Sequence, residues 1–150
     1  KALKIIKLDE NNIPDIARIE HECFVHPWSE QSIMNAIRAG HTFFGCEKDS
    51  VLCGFAGVNI VCGECYVDNV AVSEKYRGSG IGKALMIELI SYCKMKNADF
   101  VTLEVRCSNK SAIALYESLG FECTGVRPKF YTSPTEDAKI FKLITNKKLV

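Results

Sequence analysis

At 150 residues, with 47% hydrophobic and 25% charged side chains, the chain suits one domain (residues 1–150) with a real core, and disorder is excluded. A formal net charge of +1 leaves no global field to draw it to nucleic acid or an anionic membrane. No apolar run has the length to span a bilayer, and Lys1-Ala2-Leu3-Lys4-Ile5 lacks the apolar stretch and cleavage site of a signal peptide.

Ala2 to Leu8 alternates weakly and reads as a strand. Asn11 or Asn12 then caps a helix that starts near Ile13-Pro14, with Ile13, Ile16, Ala17 and Ile19-Glu20 at helical spacing. His21 to Trp28 is a loop by its proline, and Ser29 caps a second helix carrying Ile33, Met34 and Ile37, stopped by Gly40. Thr42 to Glu47, Val51 to Cys62 and Cys65 to Val72 read as strands joined by tight turns at Asp49-Ser50 and Gly63-Glu64, which makes an antiparallel meander. Asp68-Asn69 interrupts the last of these with poor strand formers, the mark of a bulge or a frayed edge. A helix follows with Ile81, Ala84, Leu85, Leu89, Tyr92 and Cys93 on one stripe. Phe100 to Arg106 is a strand with Val101, Leu103 and Val105 on one face and Thr102, Glu104 and Arg106 on the other. Ser108 or Asn109 caps a short helix ended by Gly120, and Phe121 to Leu143 reads as a pair of strands around Ser133-Pro134-Thr135. The order β-α-α-β-β-β-α-β-α-β-β predicts an α/β protein with a mixed sheet and helices on its faces.

The eight cysteines (Cys23, Cys46, Cys53, Cys62, Cys65, Cys93, Cys107 and Cys123) sit mostly in apolar runs, where a free thiol acts as a small hydrophobe. Cys62-Gly63-Glu64-Cys65 has zinc-like spacing, but no second such pair and no nearby histidine pair completes it. The expectation is therefore reduced thiols, no metal and a cytoplasmic protein. His21, His26 and His41 form no triad with a serine or cysteine and read as ordinary surface or core residues.

The chemistry concentrates around Val70 to Met86, where an apolar strand ends in a basic, glycine-rich turn and a helix begins. Arg77-Gly78-Ser79-Gly80-Ile81-Gly82 is neither a phosphate loop ending in Gly-Lys-Ser/Thr nor a dinucleotide fingerprint. It fits R-x-x-G-x-G at a strand-to-helix junction, where bare backbone N–H groups and a helix N-terminus favour a pyrophosphate. A glycine-rich connection with no ligand is the alternative.

With Leu103-Glu104-Val105-Arg106-Cys107-Ser108-Asn109 and Ala114-Leu115-Tyr116-Glu117-Ser118-Leu119-Gly120-Phe121, this turn resembles the GNAT acetyltransferases. Pro27-Trp28-Ser29-Glu30 and the block from Ala112 to Phe121 are similar to the RimI family of ribosomal-protein-alanine N-acetyltransferases. The likeness runs along nearly the whole chain. It departs locally at Phe130-Tyr131, where the bacterial enzymes often carry paired tyrosines, and in several cysteines that replace small residues. The resemblance implies a GNAT fold, with a mostly antiparallel sheet of about seven strands. It implies acetyl-CoA held by Arg77, Gly78, Ser79, Gly80, Ile81, Gly82 and Lys83, by the backbone of Val70, Ala71 and Val72, and by Asn109. It implies Glu104 as general base, Tyr116 as the acid for the leaving thiolate, a protein N-terminus as acceptor, and a monomer.

Each role has a plain rival. Glu104 is otherwise a surface carboxylate paired with Arg106, Tyr116 a core aromatic, and Asn109 a simple helix cap. An ordinary glutamate near ~4.3 needs partial burial or a relaying water to deprotonate an amine, and an ordinary tyrosine is a weaker acid than a thiol by ~2 kcal/mol. An α-amine is easier to deprotonate at neutral pH than lysine by about 3–4 kcal/mol, which suits one glutamate base. Trp28, Tyr131, Phe24 and Phe130 are candidates to line an acceptor groove, or are core. Other readings are a lysine or small-molecule amine as acceptor, or a CoA-binding sensor without turnover.

Overall fold

Chain reversals at positive φ set the first half of the sheet: Asp49 and Ser50 (φ 52 and 65) join β2 (Thr42–Lys48) to β3 (Val51–Val61), and Cys62-Gly63 (φ 50 and 78) joins β3 to β4 (Glu64–Val72). The second turn therefore lies one residue earlier than Gly63-Glu64. The computed structural model describes residues 3–146. Its remaining elements are β1 (Lys4–Lys7), α1 (Ile13–Cys23), α2 (Glu30–Arg38), α3 (Ile81–Met95), β5 (Phe100–Arg106), α4 (Lys110–Ser118), β6 (Glu122–Tyr131) and β7 (Glu136–Ile144). The strands form one sheet in the order β1-β2-β3-β4-β5-β7-β6, antiparallel throughout except at β4–β5.

The first strand and the first helix start differ in detail from expectation. The first strand is shorter than Ala2 to Leu8; Ala2 lies outside the described residues, and Leu8 keeps a bond from its N–H to Phe43 O (2.8 Å). Asn12 does not cap α1 with its side chain: Asp9 caps a single 3₁₀ turn over Glu10–Asn12, and the Asn12 amide oxygen accepts from Asp9 N–H (2.9 Å). Ser29 does cap α2, accepting from Ser32 N–H at 3.1 Å.

Each face of the sheet carries its own core. On one face α1 and α2 pack Ile13, Ile16, Ile19 and Ile33 against Phe43, Leu52, Phe55 and Ala71. On the other, α3 and α4 pack Leu85, Met86, Leu89 and Tyr116 against Val101, Leu103, Val105 and Phe141. Each buried Val, Leu, Ile, Phe or Met among them contributes ~1.5–3 kcal/mol. All eight cysteines are free thiols, four of them buried in these cores. No helix among the described residues is long and apolar enough to cross a membrane.

Candidate active site

β4 and β5 pair over only three positions, Glu64↔Phe100, Cys65↔Val101 and Tyr66↔Thr102. Beyond Tyr66 the two parallel strands part. The cause is the bulge at Asp68-Asn69: the β3–β4 register slips between Ala56 and Val58, so two β4 residues stand opposite Gly57. Only glycine fits there, since a Cβ on Gly57 would lie 2.6 Å from the Phe43 ring and 3.3 Å from Asp68 Oδ2.

The parting opens a groove of 680 Å³, a size that suits a small-molecule site. Glu104 and Tyr116 both line it, as do Asn109, Val70, Trp28, Phe24, Phe130 and Tyr131. These eight are residues the sequence singled out for the site. Alternation along β5 buries Leu103 and Val105 with α3 and α4, and turns Glu104 to the α1–α2 face.

Glu104 is not paired with Arg106. The Arg106 guanidinium bonds Glu136 Oε1 (3.2 Å), Thr132 O (3.0 Å) and Pro134 O (3.0 Å), and lies 4.6 Å above the Tyr131 ring. Among the described residues Glu104 has no ion pair, and its carboxylate is left facing the groove. Its field joins with burial to push the Tyr131 phenol up to about 12.

Tyr116 sits against Phe121 and Phe141, with ring centroids 5.7 and 6.4 Å away, so the core-aromatic reading is also true of its ring. Its hydroxyl makes no hydrogen bond among the described residues, and burial, helped by Tyr131, pushes it up to about 12. Asn109 likewise caps α4, its Oδ1 accepting from Ala112 N–H at 3.2 Å, while lining the groove.

The glycine turn, Ala71 and Val72 lie outside this groove. Ser73 N–H bonds Cys53 O, and ladder alternation then faces the Ala71 N–H toward β3 and the Val70 N–H toward the gap. Val72 O accepts from Arg77 Nε (2.9 Å), and the guanidinium also reaches Cys23 Sγ (3.4 Å). Arg77 thus braces the turn against β4 and α1. Ile81 buries its side chain in the core, and Ser79 Oγ donates to Tyr76 O (2.6 Å). Gly78 and Gly80 take φ of +79 and +84, with open space where a Cβ would stand. Ala84 N–H is the first in α3 to find a helical partner, Gly80 O at 3.0 Å, so the α3 N–H groups before it have no backbone partner among the described residues.

Several site residues escaped the sequence. His41 Nδ1 lies 2.7 Å from Asp68 Oδ2, and burial holds the Asp68 carboxyl above its usual range against the pull of that histidine. His26 Nε2 meets Thr132 Oγ1 at 3.1 Å across the groove rim. Glu20, buried in α1, accepts from Trp28 N–H and Asn69 Nδ2. The visible signal was Asp68-Asn69, polar residues in an apolar strand. No cluster of three or more His, Cys, Asp or Glu side chains among the described residues gathers as a metal site.

The acetyltransferase (GNAT) family model matches residues 13–121. A ribosomal protein bS18-alanine N-acetyltransferase of Escherichia coli is 34% identical over 141 residues, 93% of this chain and 95% of that protein. The N-alpha-acetyltransferase RimI of Mycobacterium tuberculosis is 32% identical, over 81% of this chain and 80% of its own. The crystal structure of the E. coli ribosomal-protein-alanine N-acetyltransferase superposes with a TM-score of 0.90 at 33% identity, covering 97% of this chain and 95% of that one. A match that runs from α1 to the residue before β6, with relatives alike along most of their length, leaves one assignment: the chain belongs to the GNAT family and is an N-acetyltransferase.

Proposed function

We propose that this N-acetyltransferase, one domain over residues 1–150, moves the acetyl group of acetyl-CoA to the N-terminal α-amine of a protein, a ribosomal protein. The observation that carries the mechanism is that Glu104 and Tyr116 line one groove from opposite faces of the sheet, with Glu104 free of any ion pair among the described residues. The names of the relatives supply the acceptor class.

The chain suits the cofactor. The open turn at Gly78 and Gly80 and the free N–H groups entering α3 offer a cradle for a pyrophosphate. Val70 N–H faces the gap and Asn109 lines it. Bound there, acetyl-CoA supplies an activated acyl carbon. Glu104 takes the proton of the acceptor ammonium on the α1–α2 face. Val70 N–H stabilises the charge that grows on the carbonyl oxygen. The Tyr116 hydroxyl donates to the departing sulfur from the α4 face. Trp28, Phe24 and Tyr131 hold the acceptor chain beside Glu104.

The test is thiol release from acetyl-CoA with panels of N-terminal peptides, lysine peptides and small amines. Turnover on N-terminal peptides is expected, and release with small amines alone refutes the acceptor class. Glu104→Gln is expected to lower kcat by ~10²–10⁴-fold with the Michaelis constant for acetyl-CoA unchanged. Loss of acetyl-CoA binding instead would remove Glu104 from the base role.

A further inference from the structure

Glu20 is 1% exposed, on the α1 stripe that also buries Ile13, Ile16 and Ile19. A carboxylate is a costly group to enclose, and an apolar side chain of similar volume commonly serves a fold as well or better. Packing therefore does not explain it, but its partners do. Its Oε1 accepts from the backbone N–H of Trp28 at 2.9 Å, and its Oε2 from Asn69 Nδ2 at 2.6 Å. Trp28 belongs to the loop between α1 and α2, Asn69 to the bulge of β4, and both line the groove. Among the described residues no other hydrogen bond ties residues 24–29 to the bulge. On the far side of the same loop, whose Phe24 and Trp28 also pack against the α1–α2 core, the one side-chain hydrogen bond among the described residues is the solvent-exposed His26–Thr132 contact.

We infer that Glu20 is a positioning residue for acceptor binding: its buried carboxylate fixes the Trp28 loop and the Asn69 bulge at the spacing an incoming peptide requires. This rests on the proposed acceptor groove. Glu20 touches neither the glycine turn nor Asn109, so the proposed hold on acetyl-CoA at those residues stays in place while the acceptor wall shifts. Charged, hydrogen-bonded acceptors give short, directional bonds, which is what aligning two wall segments takes. Without Glu20, the Asn69 amide turns into the groove and the Trp28 backbone loses its anchor.

The test compares Glu20→Leu, Glu20→Gln and Asn69→Ala in the full chain. Leucine fills the site among isoleucines with no polar atom. Glutamine keeps an acceptor for Trp28 N–H and lets the Asn69 amide turn over to accept from it. Asn69→Ala removes one arm without touching the α1 core. Trp28 is the chain's single tryptophan, so its emission reports the loop without any turnover. Glu20→Leu is expected to keep the thermal midpoint, shift the Trp28 emission and raise the Michaelis constant for the acceptor peptide ~10-fold or more, the scale of a small misplacement. The constant for acetyl-CoA stays unchanged. Glu20→Gln returns emission and acceptor constant toward wild type, and Asn69→Ala reproduces part of the defect. Wild-type emission and acceptor binding in Glu20→Leu and Asn69→Ala overturn the inference. So does a fall of thermal midpoint together with a rise of both constants in Asn69→Ala, which marks a merely structural contact. A wild-type protein that acetylates no peptide defeats the acceptor reading instead, and the emission comparison still decides the role of Glu20 in placing the loop.

Discussion

Tyr116→Phe removes one hydroxyl and separates what the ring does from what the oxygen does. The ring contacts to Phe121 and Phe141 survive the change, and the hydroxyl gives up no hydrogen bond among the described residues. Stability is therefore expected to move by no more than ~0.5 kcal/mol. The chemistry is more exposed. Burial pushes the phenol up to about 12, whereas a free thiol lies near ~8.5, so complete proton transfer to a thiolate is uphill by ~5 kcal/mol. A Tyr116 that hands over its proton outright does not fit this balance. One that donates a hydrogen bond as charge builds on sulfur does, and a bond to a charged acceptor is worth ~1.5–3 kcal/mol, or roughly 10- to 150-fold in kcat. Thiol release at saturating acetyl-CoA and peptide measures kcat, and a thermal melt checks the fold. Because the phenol stays protonated through ordinary assay conditions, the pH profile of the variant keeps its wild-type shape. A kcat within about threefold of wild type, or a profile that loses its alkaline limb, refutes the reasoning.

Gly57→Ala drives a methyl into the Phe43 ring at 2.6 Å and against Asp68 Oδ2 at 3.3 Å, and is expected to cost ~1–3 kcal/mol in urea unfolding; an unchanged midpoint would show that the bulge yields freely. Glu20 carries a signature in stability as well as binding. Burial raises its carboxyl above the ordinary range, with the bonds from Trp28 and Asn69 opposing. A raised folded-state value means that folding favours the proton, so this stabilisation is full below the unfolded value and is lost as pH rises through the folded one. Urea midpoints of wild type minus Glu20→Gln are therefore expected to fall as pH rises above about 4.5, and a flat difference contradicts the burial argument.

The parts legible in the sequence are those with a local or periodic cause. Strict alternation from Phe100 to Arg106 gave β5 its bounds and sent Glu104 to the face opposite Val101, Leu103 and Val105. Ser29 announced α2 because a hydroxyl three residues before a free N–H is a local event. Asn12 misled because Asp9, three residues earlier, competes for the same turn and takes the cap. The pairs that shape the groove leave no periodic trace: Glu20 meets Asn69 across 49 positions, Arg106 meets Glu136 across 30, and His41 meets Asp68 across 27. On the page Glu20 was one more member of a helical stripe, and Arg106 the nearer partner for Glu104. Only the folded sheet shows Arg106 drawn away to the β6–β7 loop and Glu104 left alone.

That separation gives the sheet its part in the proposed chemistry. A base and a hydrogen-bond donor on one wall within reach of each other would pair, and each would lose its function. Here Glu104 projects to the α1–α2 face, while Tyr116 lies in the core under α3 and α4. The two can address a common atom only through the gap that opens once β4 and β5 stop pairing after Tyr66 and Thr102. The bulge that opens the gap also presents Asn69 to Glu20 and turns Val70 N–H to the gap side. In the proposed mechanism one irregularity, permitted by Gly57, thus joins access for the acceptor, the anchor of its loop and the place where charge can be stabilised.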